Sequence, residues 1–130
     1  MSIIQIPVRG YHLDGYRHVN NARYLEFLEE ARWAYFEEHN LLPLLGDMQI
    51  VVTRVDIRYR RSATFGDVLH LRTGIASIEP RQVVVRQIID FNDDGKPAAE
   101  AEVTLVPVSG GRGADLPDAL YRKLQQMAAE

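Results

Sequence analysis

The chain has 130 residues, a length that suits one folded domain, and we predict a single domain over residues 1–130. Its net charge of −3 argues against a general nucleic-acid binder, and the absence of cysteine excludes disulfides, thiolate metal sites and a cysteine nucleophile. The N-terminus lacks a signal-peptide pattern, and no apolar run approaches the roughly 20 residues of a membrane span. We therefore expect a cytoplasmic protein without a membrane segment.

The first half of the chain predicts a strand, a polar loop and a long helix. Residues 3–11 favour a strand, which Pro7 restricts to an edge or bulged position. A polar loop follows to Asn20, and Asn20 or Asn21 is suited to cap a helix over about residues 22–39. Apolar residues at helical spacing form its predicted buried face: Tyr24, Phe27, Leu28, Ala31, Ala34 and Tyr35. Leu25, Trp33 and Phe36 widen this surface, so we expect a helix more buried than a typical surface helix.

The second half predicts four strands in a meander and a short closing helix. Residues 51–59 alternate, with one face formed by Val51, Thr53, Val55, Ile57 and Tyr59. Further strands are predicted at 69–75, 83–91 and 99–105, and the hairpin signal is strongest at Asn92–Gly95. Residues 109–114 are predicted to form a flexible loop, and Pro117 opens the last helix. The order predicts an α+β fold with an antiparallel sheet, one face covered by the long helix and the other solvated or covered by a second copy.

The loop before the long helix gathers more polar side chains than helix capping requires. Asp14, His18 and Asn21 lie close together in sequence at the point where the helix begins. A carboxylate here could act as a general base on water or attack an acyl carbonyl itself. The N–H groups near Asn21 and Ala22 could stabilise a developing oxyanion, and His18 could support the reaction or order the loop. The alternative is a purely structural turn.

Other chemistries find little support in the sequence. His12, Asp14 and His18 match no metal-binding spacing that we can defend, so we expect no metal and no cofactor. There is no G-x-S-x-G motif, Walker A sequence or G-x-G-x-x-G motif. Hydrolysis, if it occurs, would have to use a carboxylate.

Positive charge concentrates on the strand predicted at residues 51–59 and on the two residues that follow it. Its arginines could hold a phosphorylated ligand tail or simply solvate one face of the sheet: Arg54, Arg58, Arg60 and Arg61. Thr53 is the one polar residue in the apolar phase of that strand and could face a pocket or simply fill the strand as a β-branched residue. On the long helix, we expect Glu29 and Arg32 to form an exposed pair of small energetic value.

These motifs resemble a known family. The pattern Asp14-x-x-x-His18-Val-Asn-Asn-x-x-Tyr24, followed by the acidic amphipathic helix, resembles the hotdog-fold acyl thioesterases of the 4-hydroxybenzoyl-CoA thioesterase-like branch. The segments from Tyr24 to Trp33 and from Tyr59 to Asp67 look most similar to the bacterial long-chain acyl-CoA thioesterase III, or FadM-like, group. The resemblance spans nearly the whole chain.

The resemblance implies a hotdog fold, in which about five antiparallel strands wrap one long helix, and hydrolysis of fatty acyl-CoA in fatty acid metabolism. It implies Asp14 as the catalytic carboxylate, Asn21 and Ala22 at the thioester-polarising helix terminus, and a supporting His18. Substrate contacts are expected from Tyr24, Thr53, Arg58, Arg60 and Arg61. It also implies a homodimer or homotetramer with active sites at the dimer interface.

Two departures leave the catalytic network open. The His18-Val-Asn-Asn loop also resembles that of plant acyl-carrier-protein thioesterases, but those have an asparagine where this chain has Tyr16. The branch closest to the tol–pal-linked thioesterases has a catalytic histidine where this chain has Asn21. A non-catalytic acyl-CoA sensor and an enoyl-thioester hydratase remain as alternatives. An intact Asp14 argues against the sensor, and the hydratase would need a clear His–Asp or His–Glu pair.

Overall fold

The computed structural model describes residues 2–91 and 95–129. Within these ranges the elements follow the predicted order of strand, long helix, strands and short helix: β1 (Ser2–Pro7), α1 (Asn21–Glu38), β2 (Gln49–Tyr59), β3 (Val68–Glu79), β4 (Gln82–Phe91), β5 (Pro97–Ser109), β6 (Arg112–Gly113) and α2 (Asp118–Ala128). The hairpin predicted at Asn92–Gly95 falls largely on residues 92–94, which lie outside the described residues. β4 and β5 on either side of it pair antiparallel.

The strands form one antiparallel sheet in the order β1-β3-β4-β5-β2, and β6 pairs with β5. The predicted four-strand meander is therefore wrong for β2, which pairs with β5 instead of β3. The segment after β2 does not turn back as a hairpin, because it is anchored elsewhere. Ala63 is fully buried and its carbonyl accepts the N–H of Val19, while the carbonyl of Asp67 accepts the N–H of Val8.

α1 packs its apolar face against this sheet, which confirms the predicted α+β hotdog fold. The first half of α1 buries Tyr24, Phe27 and Leu28 against β1, β3 and β4. The second half meets a further cluster that includes Leu120 and Leu124 of α2. The expectation of an unusually buried helix is wrong on one side, because Leu25 and Trp33 remain 41% and 54% exposed.

A β-bulge changes the two faces of β2. Val52 pairs with Leu105 and Arg54 pairs with Thr104, so Thr53 is the extra residue. The extra residue shifts the side-chain alternation by one position. Val52 consequently shares the helix-facing side with Val55 and Ile57. Val51, the cross-strand partner of Val106, lies on the other side. The prediction of one continuous face through Val51 and Thr53 is wrong for this reason.

Two chain segments differ from their predicted form. β1 ends at Pro7, and Gly10–His12 forms a short 3-10 turn where the sequence favoured continued strand. The predicted loop at 109–114 contains a tight hairpin, in which Ser109 pairs with Arg112. Gly110 and Gly111 supply the positive φ angles, +58° and +79°, that a two-residue hairpin turn needs. Across residues 2–91 and 95–129, neither helix combines the length and apolar character needed to cross a membrane.

Candidate active site

Asp14 organises the loop that precedes α1. Its Oδ1 accepts the backbone N–H groups of Tyr16 at 2.8 Å and His18 at 3.3 Å. Its backbone also bonds to that of His18 and Arg17, and Arg17 takes a left-handed conformation with φ of +65°. Oδ2 of Asp14 accepts no hydrogen bond within the described residues. One carboxylate oxygen therefore holds the turn, while the other remains available.

The N-terminus of α1 meets this loop. Asn20 is the cap, and its Oδ1 accepts the N–H of Ala22 at 2.9 Å. The Ala22 N–H that the sequence suggested as an oxyanion donor is thus already engaged. The N–H of Asn21 has no acceptor among the described residues, so it is the donor that the helix terminus presents.

Two tyrosines fix the floor of the site. Tyr24 is buried, and its hydroxyl accepts the N–H of Ala63 at 3.2 Å. Burial raises the pKa of Tyr24 above its ordinary value, so the phenol stays protonated. Tyr59 packs edge-on against Tyr24 with ring centroids 5.4 Å apart and donates its hydroxyl to the carbonyl of Asn21 at 3.1 Å. β2 is thereby joined directly to the first turn of α1.

A cavity of about 170 Å³ opens at this helix terminus. It brings together most of the predicted site, since its lining includes Asp14, His18, Asn21, Tyr24, Arg60 and Arg61. Tyr59 and Ser62 also line it, although sequence reasoning had not assigned them to the site. The position of Tyr59 at the end of β2, in phase with Ile57, was the signal that could have placed it there.

The predicted substrate-binding arginines divide into two groups. Arg60 forms an ion pair with Glu100 at 3.1 Å, and Arg61 lies over the Phe91 ring at 4.3 Å and donates to the carbonyl of Lys96. Both border the cavity. Arg58, which pairs across the sheet with Glu100, and the bulge residue Thr53 are not part of its lining.

A second, larger cavity of about 400 Å³ lies further along α1. Its wall is mostly apolar and combines the helix, the 3-10 turn at Leu42–Leu45 and the first half of β2. Trp33 and Phe36 of α1 and Ile50 and Val52 of β2 are among its lining residues, and Glu29 and Arg32 supply its charged groups.

The two cavities lie at opposite ends of one seam between α1 and β2. Tyr59 bonds to Asn21 at one end, and Ile50 and Phe36 line the same cavity at the other, so the helix and strand run antiparallel. Between them, Leu25 and Val55 are 41% and 38% exposed. We call this seam the α1–β2 groove. The two exposed residues between the cavities, Leu25 and Val55, are apolar.

His12 supports the loop from below. It is buried against Phe27, with ring centroids 5.0 Å apart, and its Nδ1 accepts the N–H of Arg9 at 2.9 Å. Burial, and then the charge of Arg23, lower the pKa of His12 below its ordinary value of 6.5. Its engaged Nδ1 is not available to a metal. Within residues 2–91 and 95–129, no cluster of three or more His, Asp or Glu side chains is arranged to hold a metal ion.

We expect acid to destabilise the protein through His12. Since folding lowers the pKa of His12, the unfolded chain binds this proton more readily than the folded one. The stabilisation is complete above the ordinary pKa of 6.5 and is lost as pH falls from there towards the folded-state pKa. The free energy of unfolding, measured with urea between about pH 8 and pH 5, should therefore have a smaller slope against pH in His12→Asn than in the wild type. The asparagine amide oxygen can still accept the backbone N–H of Arg9. An unchanged slope would contradict this role.

The chain is similar to known proteins over most of its length. The family model of the Thioesterase-like superfamily matches residues 8–124. The chain is 39% identical over 127 residues to the long-chain acyl-CoA thioesterase FadM of Escherichia coli (strain K12), covering 95% of this chain and 96% of that protein.

Two solved structures are similar over nearly their full length. The probable thioesterase YbaW from Escherichia coli superposes with a TM-score of 0.82 at 36% identity, covering 97% of this chain and 98% of that one. A thioesterase from Thermus thermophilus, solved with coenzyme A and Zn, gives a TM-score of 0.85 at 28% identity, covering 98% of this chain and 95% of that one.

Proposed function

Because the chain belongs to the Thioesterase-like superfamily and is a thioester hydrolase, we propose that it cleaves fatty acyl-CoA to the free acid and CoA. The observation that carries this proposal is the meeting of three features at one cavity. The uncommitted Oδ2 of Asp14 and the unengaged N–H of Asn21 border it, and the apolar α1–β2 groove leads away from it.

In this proposal the helix terminus polarises the thioester carbonyl, and Asp14 acts as the base or the nucleophile. The thioester carbonyl accepts the N–H of Asn21, and the positive end of the helix dipole stabilises the charge that develops on its oxygen. Asp14 acts either as a general base that takes a proton from the attacking water or as the nucleophile itself. In the first route the tetrahedral intermediate collapses to the carboxylic acid and expels the CoA thiolate, which takes the proton from Asp14. In the second route Asp14 forms a mixed anhydride with the acyl group as the thiolate leaves, and water then hydrolyses the anhydride to the free acid and restores Asp14. His18 borders the cavity and supports the reaction there. Ala22 helps to form the first turn of α1, where its N–H is held by the cap Asn20.

The α1–β2 groove offers the acyl chain its path. From Ala22 to Trp33 the helix rises about 16 Å, at about 1.5 Å per residue. An extended alkyl chain with C–C bonds of about 1.5 Å advances about 1.3 Å per carbon, so about 12 carbons span this distance. A medium- to long-chain acyl group therefore fits the groove from the helix terminus to the larger cavity.

The CoA portion extends in the opposite direction, over the basic surface next to the smaller cavity. Arg60 and Arg61 border that cavity and present positive charge suited to phosphate groups. Tyr24 lines the smaller cavity, where the pantetheine part of CoA would lie. Arg58 and Thr53 lie on β2 outside the lining of the smaller cavity. In our proposal they contact substrate through the nucleotide of CoA or through a second protomer.

Two further proposals follow from the surface and the relatives. β2 is an exposed edge strand of 11 residues, which favours pairing with a second copy in a homodimer, or in a homotetramer built from such dimers. A role in cytoplasmic fatty acid metabolism is consistent with the long-chain acyl-CoA substrate of the FadM relative.

Release of free thiol from a series of saturated acyl-CoA esters tests the function directly. We expect kcat/KM to rise with chain length and to reach its maximum at about 12 to 14 carbons, since these fill the groove. Binding of acyl-CoA without release of CoA would contradict hydrolysis and favour a sensor. Hydration of an enoyl-CoA without cleavage would favour the hydratase alternative.

We expect Leu25→Trp to shorten the preferred chain. Leu25 lies on the exposed side of α1, about 4.5 Å beyond Ala22 and about a quarter of the way along the groove, so an indole there should obstruct it. The loss of several buried methylenes should lower kcat/KM for tetradecanoyl-CoA by about tenfold or more. Butanoyl-CoA, which ends before Leu25, should lose much less. An equal loss on both esters would contradict the groove as the acyl path.

A further inference from the structure

The larger cavity contains a charged group that a plain alkyl chain does not need. Arg32 projects from α1 into its wall, among mostly apolar side chains. Its Nη1 donates to Oε1 of Gln87 at 3.1 Å, and the described residues place no carboxylate within ion-pairing distance of it. The expected ion pair with Glu29 does not form. A guanidinium has five N–H donors, so most of them are left for a ligand or water.

Gln87 holds Arg32 in this position. Gln87 lies on β4 and is fully buried beneath α1, and its Nε2 donates to the carbonyl of Leu28 and to Oγ1 of Thr73. These two bonds orient its Oε1 towards Arg32. The guanidinium is therefore anchored on one side by a satisfied polar network, and its position is set by the fold. Burial lowers the pKa of Arg32 below its ordinary value, as expected for a partly desolvated cation.

Glu29 decides which polar ligand fits beside Arg32. It also lines the cavity, and it is the acidic group whose charge acts on Arg32. An anionic ligand would be attracted by Arg32 but repelled by Glu29. A hydroxyl group can accept from the guanidinium and donate to the carboxylate at the same time, so it satisfies both without adding charge.

We propose that the α1–β2 groove selects acyl chains that carry a hydroxyl group in their distal half, with Arg32 and Glu29 as the residues that recognise it. This inference rests on the proposed function of the groove. Glu29 and Arg32 lie seven and ten residues beyond Ala22, or about 10 and 15 Å along the helix. The matching hydroxyl lies about eight to twelve carbons from the thioester carbonyl.

The test compares tetradecanoyl-CoA with its 10-hydroxy and 3-hydroxy forms. For the wild-type protein we expect kcat/KM on the 10-hydroxy ester to exceed that on the plain ester by about tenfold, the size of one hydrogen bond to a charged group. The 3-hydroxy ester places its hydroxyl far from Arg32, and its ratio to the plain ester should stay near one. A purely structural Arg32 would not produce a preference that depends on hydroxyl position.

Arg32→Met should abolish the preference, because methionine keeps the apolar contact but has no donor. Glu29→Gln, at an exposed position where folding is not at risk, should reduce it to about threefold. Arg122→Met on the exposed face of α2 is the matched control and should leave the ratio unchanged. A wild-type ratio near one, or a ratio that neither groove variant changes, would overturn the inference.

Binding separates this inference from the proposed function. Dissociation constants of the three esters, measured with the Asp14→Asn variant, report the preference without turnover. If no ester is hydrolysed by the wild-type protein but the 10-hydroxy form binds about tenfold more tightly, the proposed function fails and the selectivity stands. Equal dissociation constants would overturn the selectivity whether or not hydrolysis occurs.

Discussion

Replacing Asp14 with asparagine should lower kcat for acyl-CoA hydrolysis by about 10³-fold, the usual contribution of a positioned general base. The expected loss rests on Oδ2, the oxygen that the loop leaves without a hydrogen-bond donor. Oδ1 of the new amide can still accept from the N–H groups of Tyr16 and His18, so the turn should survive. The melting temperature and the circular dichroism spectrum should match those of the wild type.

Asp67→Asn is the matched control for this experiment. Asp67 also accepts a backbone N–H in a tight turn, that of Thr64 at 2.9 Å, but it lines neither cavity. The same chemical change there should cost little activity. Asp14→Ala should lose both turnover and stability, because it removes the acceptor that closes the turn. Near-wild-type turnover in Asp14→Asn would exclude Asp14 as base and as nucleophile.

The part of the site that the sequence predicts well is the part built from neighbours in the chain. Asn20 caps α1, as the pattern of short polar residues before an apolar helix indicated. Asp14, His18 and Asn21 border one cavity because only a short turn separates them. The helix spans Asn21–Glu38, within a residue of the predicted range.

The rest of the site depends on contacts between distant residues. The pairing of β2 with β5 brings Tyr59 to the first turn of α1, and no local pattern distinguishes that pairing from a hairpin with β3. The bulge at Thr53 changes which β2 side chains face the helix, although the sequence alternates without interruption. The bond from Arg32 to Gln87 joins residues 55 positions apart. A pattern of spacing predicts faces, but it does not predict which faces meet.

The exposed edge of β2 is the surface through which we expect two chains to associate. Four apolar side chains of β2 are more than a third exposed: Val51, Val52, Val55 and Tyr59. A long apolar edge strand left unpaired is an association site. The opposite edge, β1, has only six residues. An antiparallel pairing of β2 with its copy about a two-fold axis would place the start of one β2 beside the end of the other, next to the Tyr59–Asn21 contact.

We therefore expect the double variant Val51→Lys/Val55→Lys to be monomeric. Two lysines on each strand place four positive charges at the interface, which should raise the dimer dissociation constant by about 10³-fold or more. Sedimentation and light scattering would show the change in mass. Ile3→Lys on β1 introduces a lysine at the other edge, where Ile3 is 49% exposed, and should leave the assembly unchanged.

Activity of the double variant then shows whether the second protomer completes the site. Because Val55 also borders the groove, turnover should be measured with butanoyl-CoA, which does not extend that far. If the partner's β2 contributes to the site, specific activity should fall by more than about tenfold at low protein concentration and recover as concentration rises through the dissociation constant. A monomer with full activity at every concentration would show that each chain carries a complete site. In that case the exposed groove between α1 and β2 would have to hold the acyl chain without cover from a partner.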